Sequence, residues 1–243
     1  MSPHASISQR LHENLGHIIA STGPGARLPS EPDLARQLGV SRATLREAMR
    51  TFETQGLIRR RQGSGTFVTP TSQVIESGLE VLESIETMAE RIGLEVTMGA
   101  CAIGSRLPTQ DECEVLSLES CVEVVQVSRV ILAENRPVAY LVDTLPNDVV
   151  IPSELKEDFT GSVLDLLLRR GTPALLTSRT EINAVTATGE VARALGIQRG
   201  DGLLRFIAYL YTTTGRVVDY SYSYFLPGYF RFHVVRRVGY INE

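Results

Sequence analysis

The chain of 243 residues has no run approaching ~18 uninterrupted apolar residues, so a helix long enough to cross a membrane is excluded. Its opening segment, MSPHASISQRLHENLGHIIA, lacks a basic stretch followed by an apolar core. No secretory signal is therefore expected, and the cytoplasm is the expected compartment. Cysteine is scarce: Cys101, Cys113 and Cys121 are an odd number without the close spacing of metal ligands, which reads as reduced, idle thiols. The four histidines (His4, His12, His17 and His233) complete no motif with them, so no metal site is expected. There is no Ser/His/Asp or Cys/His constellation, no pair of catalytic carboxylates and no glycine-rich phosphate loop. The reading is that of a chain that is not an enzyme and carries no cofactor. Lysine is absent from the first 70 residues.

What is present is an ordinary globular composition, 43% hydrophobic and 21% charged, over a length comfortable for two domains. The net charge of −4 conceals a division. Residues 1–70 hold nine arginines and five acids, a net of +4, while the remainder holds fifteen basic and twenty-three acidic residues, a net of −8. Such asymmetry points the positive segment toward nucleic acid.

The first 70 residues read as three helices and a hairpin. Ile7, Leu11, Leu15, Ile18 and Ile19 recur at helical spacing over residues 6–21, and STGPGARLP breaks that helix. Ser30 is placed to cap a second helix, with Asp33 completing an S-x-x-D box, and Gly39 supplies a tight turn after Leu38. Ser41 caps a third helix that reaches Gln55 and stops at Gly56. LIRRR and GTFVT are short strands around QGSG. The order predicts a winged helix-turn-helix.

Residues 71–92 form a connector with helical character, Leu79, Leu82, Ile85 and Met88 recurring at three-residue intervals. From residue 93 the texture changes to valine-, isoleucine- and tyrosine-rich segments bounded by turns: EVVQVSRVIL, RPVAYLVDTL, RTEINAVTA, GLLRFIAYLY and RVVDYSYSYFL. Two helices, 162–171 and 188–196, interrupt them. The fold class is α+β: a winged helix-turn-helix domain at 1–70, the connector, and an α+β domain around an antiparallel sheet at 93–243.

On the third helix Leu45, Ala48, Met49 and Phe52 form the buried stripe, and Arg42, Arg46 and Arg50 line up opposite it. Ser41 and Thr44 occupy the first turn, where free N–H groups and the helix dipole favour a phosphate. A recognition helix enters the major groove N-terminus first, so Arg42 and Arg46 are placed to read guanine O6 and N7. Arg59, Arg60 and Arg61 lead into Gln62, Gly63, Ser64 and Gly65, whose glycines allow a close approach to the duplex.

The stretch LPSEPDLARQLGVSRATLREAMRTFETQGLIRRRQGSGTFV resembles the DNA-binding domain of the GntR family of bacterial transcription regulators. The resemblance places DNA contacts at Ser30, Ser41, Arg42, Thr44, Arg46, Gln62 and Gly63. Pro32 stands where some members carry a DNA-contacting arginine, leaving Arg27 and Arg36 as candidates to compensate. SRVILAENRPVAYLVDTLP, GSVLDLLLRRG and ALGIQRGDGLLRFIAYLYTTTGRVVDYSYSYFLPGYFRFHV resemble the HutC branch, whose UTRA ligand-binding domain is similar in fold to chorismate lyase. This implies a dimeric repressor on an inverted-repeat operator in double-stranded DNA, controlled by a small-molecule effector.

In sugar-phosphate-binding relatives an arginine pair and a glutamate of the first hairpin contact the ligand. Arg129 matches the first arginine; Ile131 replaces the second and Leu141 the glutamate. Ser162 matches a phosphate contact, Asp219 a glutamate that holds hydroxyls, and Phe225 stands where tyrosine is usual. These departures imply a less polar or carboxylated metabolite. Two alternatives remain open on sequence alone: a DNA-binding protein whose C-terminal domain only dimerises, and a lyase-like enzyme.

Overall fold

The computed structural model describes residues 7–61, 63–70, 74–119, 122–159 and 161–236. Gln62 and Cys121 lie outside the described residues. The chain divides into two compact units, one of residues up to Val74 with Leu226–Tyr229, the other of Ile75–Phe225 with the residues from Phe230 onward.

The first unit contains helices α1 (Ile7–Thr22), α2 (Glu31–Leu38) and α3 (Arg42–Thr54) and strands β1 (Ile58–Arg61) and β2 (Gly65–Val68). Leu15, Ile19, Leu28, Leu34, Leu45, Met49, Phe52, Ile58 and Val68 make one core, so each amphipathic helix turns its apolar stripe inward. The short α2 is held at both ends. Ser30 accepts from the Asp33 amide, and Gly39, at φ 66°, ends the helix in the left-handed region that a side chain disfavours. β1 and β2 pair antiparallel, and residues 25–28 run beside β2, with Leu28 N donating to Thr66 O at 2.8 Å and Val68 N to Ala26 O at 2.9 Å.

The second unit is built on a six-stranded antiparallel sheet. Its strands are β4 (Val96–Arg106), β5 (Val124–Ala133), β6 (Arg136–Pro146), β7 (Leu175–Thr186), β8 (Gly202–Thr212) and β9 (Val217–Phe225), in the order β4-β5-β6-β9-β8-β7. A further strand, β3 (Ile75–Gly78), pairs in parallel with β10 (Phe230–His233). Helices α4 (Ile85–Arg91), α5 (Gln110–Leu116), α6 (Pro152–Asp158), α7 (Val163–Arg170) and α8 (Gly189–Leu195) complete the unit. The β5–β6 hairpin turns at Glu134 and Asn135, both at positive φ (50° and 63°), the geometry a tight two-residue turn needs.

The sheet has two different faces because alternate residues point to opposite sides. On one, Tyr220 donates to Asp111 Oδ2 of α5 at 2.8 Å, and Tyr140 donates to Glu190 Oε1 of α8 at 3.0 Å. Burial, and then the bond to Glu190, push the Tyr140 hydroxyl up to about 12. On the other, Val125, Val127, Leu145 and Leu210 pack with Leu155 of α6 and Val163, Leu166 and Leu167 of α7.

The structure departs from expectation at several points; α5 and α6 stand among the strands besides the two helices expected at 162–171 and 188–196. Among the described residues of the 71–92 segment only Ile85–Arg91 is helical; Ile75–Gly78 is a strand, and 79–84 belongs to neither class. Of the residues at three-residue spacing, Ile85 and Met88 lie on α4, while Leu79 and Leu82 stand outside it and are exposed. Strand β4 was not anticipated, because VTMGACAIGSR is rich in small residues with little strand preference. It is an edge strand, and its register shifts between Met98 and Cys101. At Gly99 in that bulge a Cβ would stand 3.1 Å from Leu132 Cγ, which is tight for any larger residue.

Candidate functional site

The first unit carries a basic surface assembled from three elements. Ser41 caps α3, its Oγ accepting from the Thr44 amide at 3.1 Å and lying 2.8 Å from Thr44 Oγ1. Leu45 and Met49 are fully buried, while Arg42, Arg46 and Arg50, one turn apart along the helix, are exposed. Ser30 is exposed at the start of α2, and Glu31, the first residue of that helix, is the centre of a cluster that sequence reading did not single out. Its carboxylate accepts from Arg46 Nε at 2.7 Å, stands 3.4 Å from Arg60 Nη2 and 4.0 Å from Arg42 Nη2. One acid thus gathers guanidinium groups from the recognition helix and the wing, leaving the cluster positive.

The three consecutive arginines of the wing do different things. Arg60 joins the Glu31 cluster, and its backbone amide donates to Glu53 Oε1 at 3.3 Å. Arg59 and Arg61 point to the other side of β1, Arg59 half-buried and Arg61 exposed with its guanidinium 5.2 Å from the Phe67 ring centre. Gly63 and Gly65 lie at φ 77° and 109°, and beyond its chain neighbours no described residue stands within 4 Å of a Cβ built at Gly63. At Gly65 a Cβ would lie 2.7 Å from Arg27 Nε, which places Arg27 against the wing. Arg36 instead pairs with Asp33 at 3.2 Å. The wing tip residue Gln62 is outside the described residues.

The second unit carries a partly open cavity of about 610 Å³ over the sheet face opposite α5 and α8. Arg129, Leu141, Ser162, Asp219 and Phe225 line it; Ile131 is buried but does not. The pairing register explains the grouping. Arg129 stands beside Leu141, Leu141 beside Ser223 and Ser223 beside Phe206, while Asp143 stands beside Ser221 and Ser221 beside Ala208. Asp143, Ser221, Ser223, Phe206 and Ala208 were therefore missed by the sequence reading, although Asp219, Ser221, Ser223 and Phe225 alternate along one strand and Asp143 follows Leu141 by two. Residues 77–85 and Met88 form another part of the lining, and Ser162 caps α7 there, its Oγ accepting from the Asp165 amide at 3.0 Å.

The polar end of the cavity is electrostatically tense. Arg129 is 4% exposed, with Nη1 3.5 Å from Glu86 Oε1 and Nε 3.8 Å from Asp143 Oδ2. Burial pushes the Asp143 carboxyl up against the pull of Arg129. Burial, and next the charge of Asp143, raise Asp219 well above the usual carboxylate range. Burial likewise raises Glu86, with Arg129 opposing. Such a cluster is suited to recognising a polar ligand by charge and hydrogen bonds. Among the described residues no group of three or more His, Cys, Asp or Glu side chains is arranged to hold a metal ion.

Comparison with known proteins connects the two surfaces. Residues 6–68 match the family model for bacterial regulatory proteins of the gntR family, and residues 90–231 match the UTRA domain. The chain is 30% identical over 203 residues to the HTH-type transcriptional repressor NagR of Bacillus subtilis, covering 82% of this chain and 81% of that protein. It is 27% identical to the histidine utilization repressor of Pseudomonas putida, covering 83% and 79%. In fold it is similar to the crystal structure of PhnF from Mycobacterium smegmatis, with a TM-score of 0.64 at 22% identity over 94% of this chain and all of that one. The basic helix-turn-helix with its wing and the cavity-bearing antiparallel sheet are thus the two halves of a GntR-family transcription regulator, which binds DNA through the first and an effector through its UTRA domain.

Proposed function

We propose that the protein is a cytoplasmic, homodimeric repressor that reads an inverted-repeat operator and is retuned by a small metabolite held in the UTRA cavity. The observation that carries this reading is that the segment following the DNA-binding unit is itself cavity wall: Ser77 to Ile85, with Met88, face the same space as Arg129 and Asp219. A ligand there touches the stretch that leads from one domain to the other. Domain limits of 1–70, 71–92 and 93–243 express this division, with the connector acting as part of the binding site.

On the DNA side, Arg42 and Arg46 read base edges from α3, with Arg50 extending their row toward the backbone. Ser30, Ser41 and Thr44 hold phosphates at two helix N-termini. Arg59, Arg60, Arg61, Gln62, Gly63 and Gly65 bring the wing against the duplex. Two-fold symmetry of the dimer is mirrored in the half-sites. On the effector side, Arg129, Ser162 and Asp219 supply polar contacts, while Leu141 and Phe225, backed by the buried Ile131, make the site less polar than one built for a sugar phosphate. The histidine utilization and NagR repressors support the repressor reading.

The test uses the full chain. Selection from random duplex DNA defines the operator, and fluorescence anisotropy on that site is repeated with sugar phosphates, amino sugars, amino acids, urocanate-like acids and fatty acids. A ligand that discriminates between two arrangements of the protein changes operator affinity by about 5- to 150-fold. Selection of a palindrome and an affinity shift with one ligand class is the expected result. A ligand that raises the melting temperature without altering operator affinity would remove the coupling, and a non-palindromic site bound by a monomer would remove the dimer.

A further inference from the structure

The polar end of the cavity holds donors and acceptors that face each other without bonding. Arg129 Nε and Nη1, Asp143 Oδ2 and Asp219 Oδ1 are all buried and have no hydrogen-bond partner among the described residues. Arg129, Asp143 and Asp219 are 4%, 5% and 7% exposed, so these are groups within the fold, not surface chains turned to solvent. The separation of 3.8 Å between Arg129 Nε and Asp143 Oδ2 is too long for a hydrogen bond and short enough for strong mutual attraction. Both side chains line the cavity, as does Asp219.

The balance of charge constrains what fits. One guanidinium is set against Asp143, Asp219 and Glu86. A ligand bearing only an acid would satisfy Arg129 and press its own charge on the two aspartates. A ligand bearing only an amine would satisfy the aspartates and leave Arg129 Nε and Nη1 without a hydrogen-bond acceptor, and a phosphate dianion would enlarge the repulsion. A carboxylate joined to a neighbouring ammonium meets all four unpartnered atoms at once. The ammonium also supplies the positive charge that burial otherwise draws from protons on Asp143 and Asp219. Leu141, Ile182, Phe206, Phe225 and Phe232 supply apolar surface to the same lining, with Ser178, Thr180 and Ser223 set among them.

We propose that the cavity takes a zwitterion of the amino-acid type with an apolar side chain, its carboxylate on Arg129 and its ammonium on Asp143 and Asp219. Asp143 is then the residue that sets this specificity. The inference rests on the cavity being the effector site.

Calorimetric titration of the full-length protein with norleucine, hexanoate, hexylamine and glucosamine 6-phosphate tests it. Norleucine is expected to bind at least about ten-fold more tightly than the other three, since each of them leaves a buried charge unmatched or opposed. Asp143→Asn, which keeps the side-chain shape, is expected to weaken norleucine by about ten-fold or more and to strengthen hexanoate. Equal binding of norleucine and hexanoate, or no heat from norleucine at ~10 mM, overturns the proposal. Glucosamine 6-phosphate or hexanoate as the preferred ligand, lost in Arg129→Gln, would overturn the zwitterion while leaving the cavity as the effector site. Norleucine binding that survives both Asp143→Asn and Arg129→Gln would overturn the cavity reading itself.

Discussion

Arg46 on the recognition helix donates from Nε to Glu31 on the preceding helix at 2.7 Å, and Arg60 of the wing approaches the same carboxylate. The acid is mostly shielded, 17% exposed, whereas the arginines are 55% and 40% exposed. Exposed ion pairs contribute little to stability. The consequence of this one is orientation: three long side chains from two elements are drawn to one point.

Arg46→Ala is expected to cost about 1–3 kcal/mol of operator binding and to relax selection at one base position. Arg60→Ala should weaken operator and random DNA alike and reduce the salt slope by about 1. Glu31→Gln removes a negative charge from the surface, so affinity for random DNA should rise while the ratio of operator to random binding falls. Anisotropy titrations on both DNAs across a salt series distinguish the three. An unchanged ratio in Glu31→Gln would show that the cluster does not orient the reading side chains.

Ser41→Ala removes the acceptor of the Thr44 amide and is expected to destabilise the first unit by about 1 kcal/mol, read as a shift in the urea midpoint. Because the same hydroxyl is assigned to a phosphate, operator affinity should fall even at temperatures where the variant is fully folded. Loss of stability with intact affinity would confine Ser41 to capping.

Glu112 gives a dependence on pH. Burial opposes its charge, yet bonds from both Arg106 nitrogens at 2.7 and 2.5 Å and from the Thr109 backbone outweigh it and hold the carboxyl at about 2. A carboxyl held below its unfolded value of 4.5 stabilises the fold above that pH and ceases to do so as pH falls toward about 2. Asp219, raised by burial, acts with the opposite sign. The difference between wild type and Glu112→Gln isolates the first: it should be about 2 kcal/mol at neutral pH and vanish near pH ~2. A difference that stays constant across that range would contradict the assignment.

Ala208→Phe places a ring on the cavity floor between Ser221 and Thr180. Operator binding should persist, because nothing in the DNA-binding unit changes, while the effector response is lost. Melting curves and operator titrations with and without ligand separate this from misfolding, which would abolish both.

Much of the DNA-binding unit is written locally. Ser30, Gly39, Ser41 and Gly56 mark helix ends through chemistry that acts within four residues, and the Leu45–Met49–Phe52 stripe follows from helical period alone. Glu31 was not recognised as a hub because its partners Arg42, Arg46 and Arg60 come from two later elements, and the helix and wing must fold before they meet. In the second unit the strand-rich segments were legible from alternation, and the same alternation contained Ser221 and Ser223 between Asp219 and Phe225. Asp143 required the pairing register, which places it across from Ser221 and one row from Arg129. Ile131 shares the face of Arg129 but stands at the end of the regular pairing, where the register with β6 shifts, and it misses the cavity wall. Residues 79–84 keep the three-residue apolar spacing of a helix yet form none, and they line the cavity instead.

The floor of that space is a grid. Alternate residues in the middle of β6, β9 and β8, from Leu141 to Asp143, Asp219 to Phe225 and Phe206 to Leu210, are cells of that floor, and residues between them grip α5 and α8 from behind through tyrosines such as Tyr140 and Tyr220. Recognition and support are interleaved along the same strands yet fall on opposite sides of one peptide layer. A lineage can therefore exchange one metabolite for another by rewriting single cells, with the backbone and its anchors left as they were.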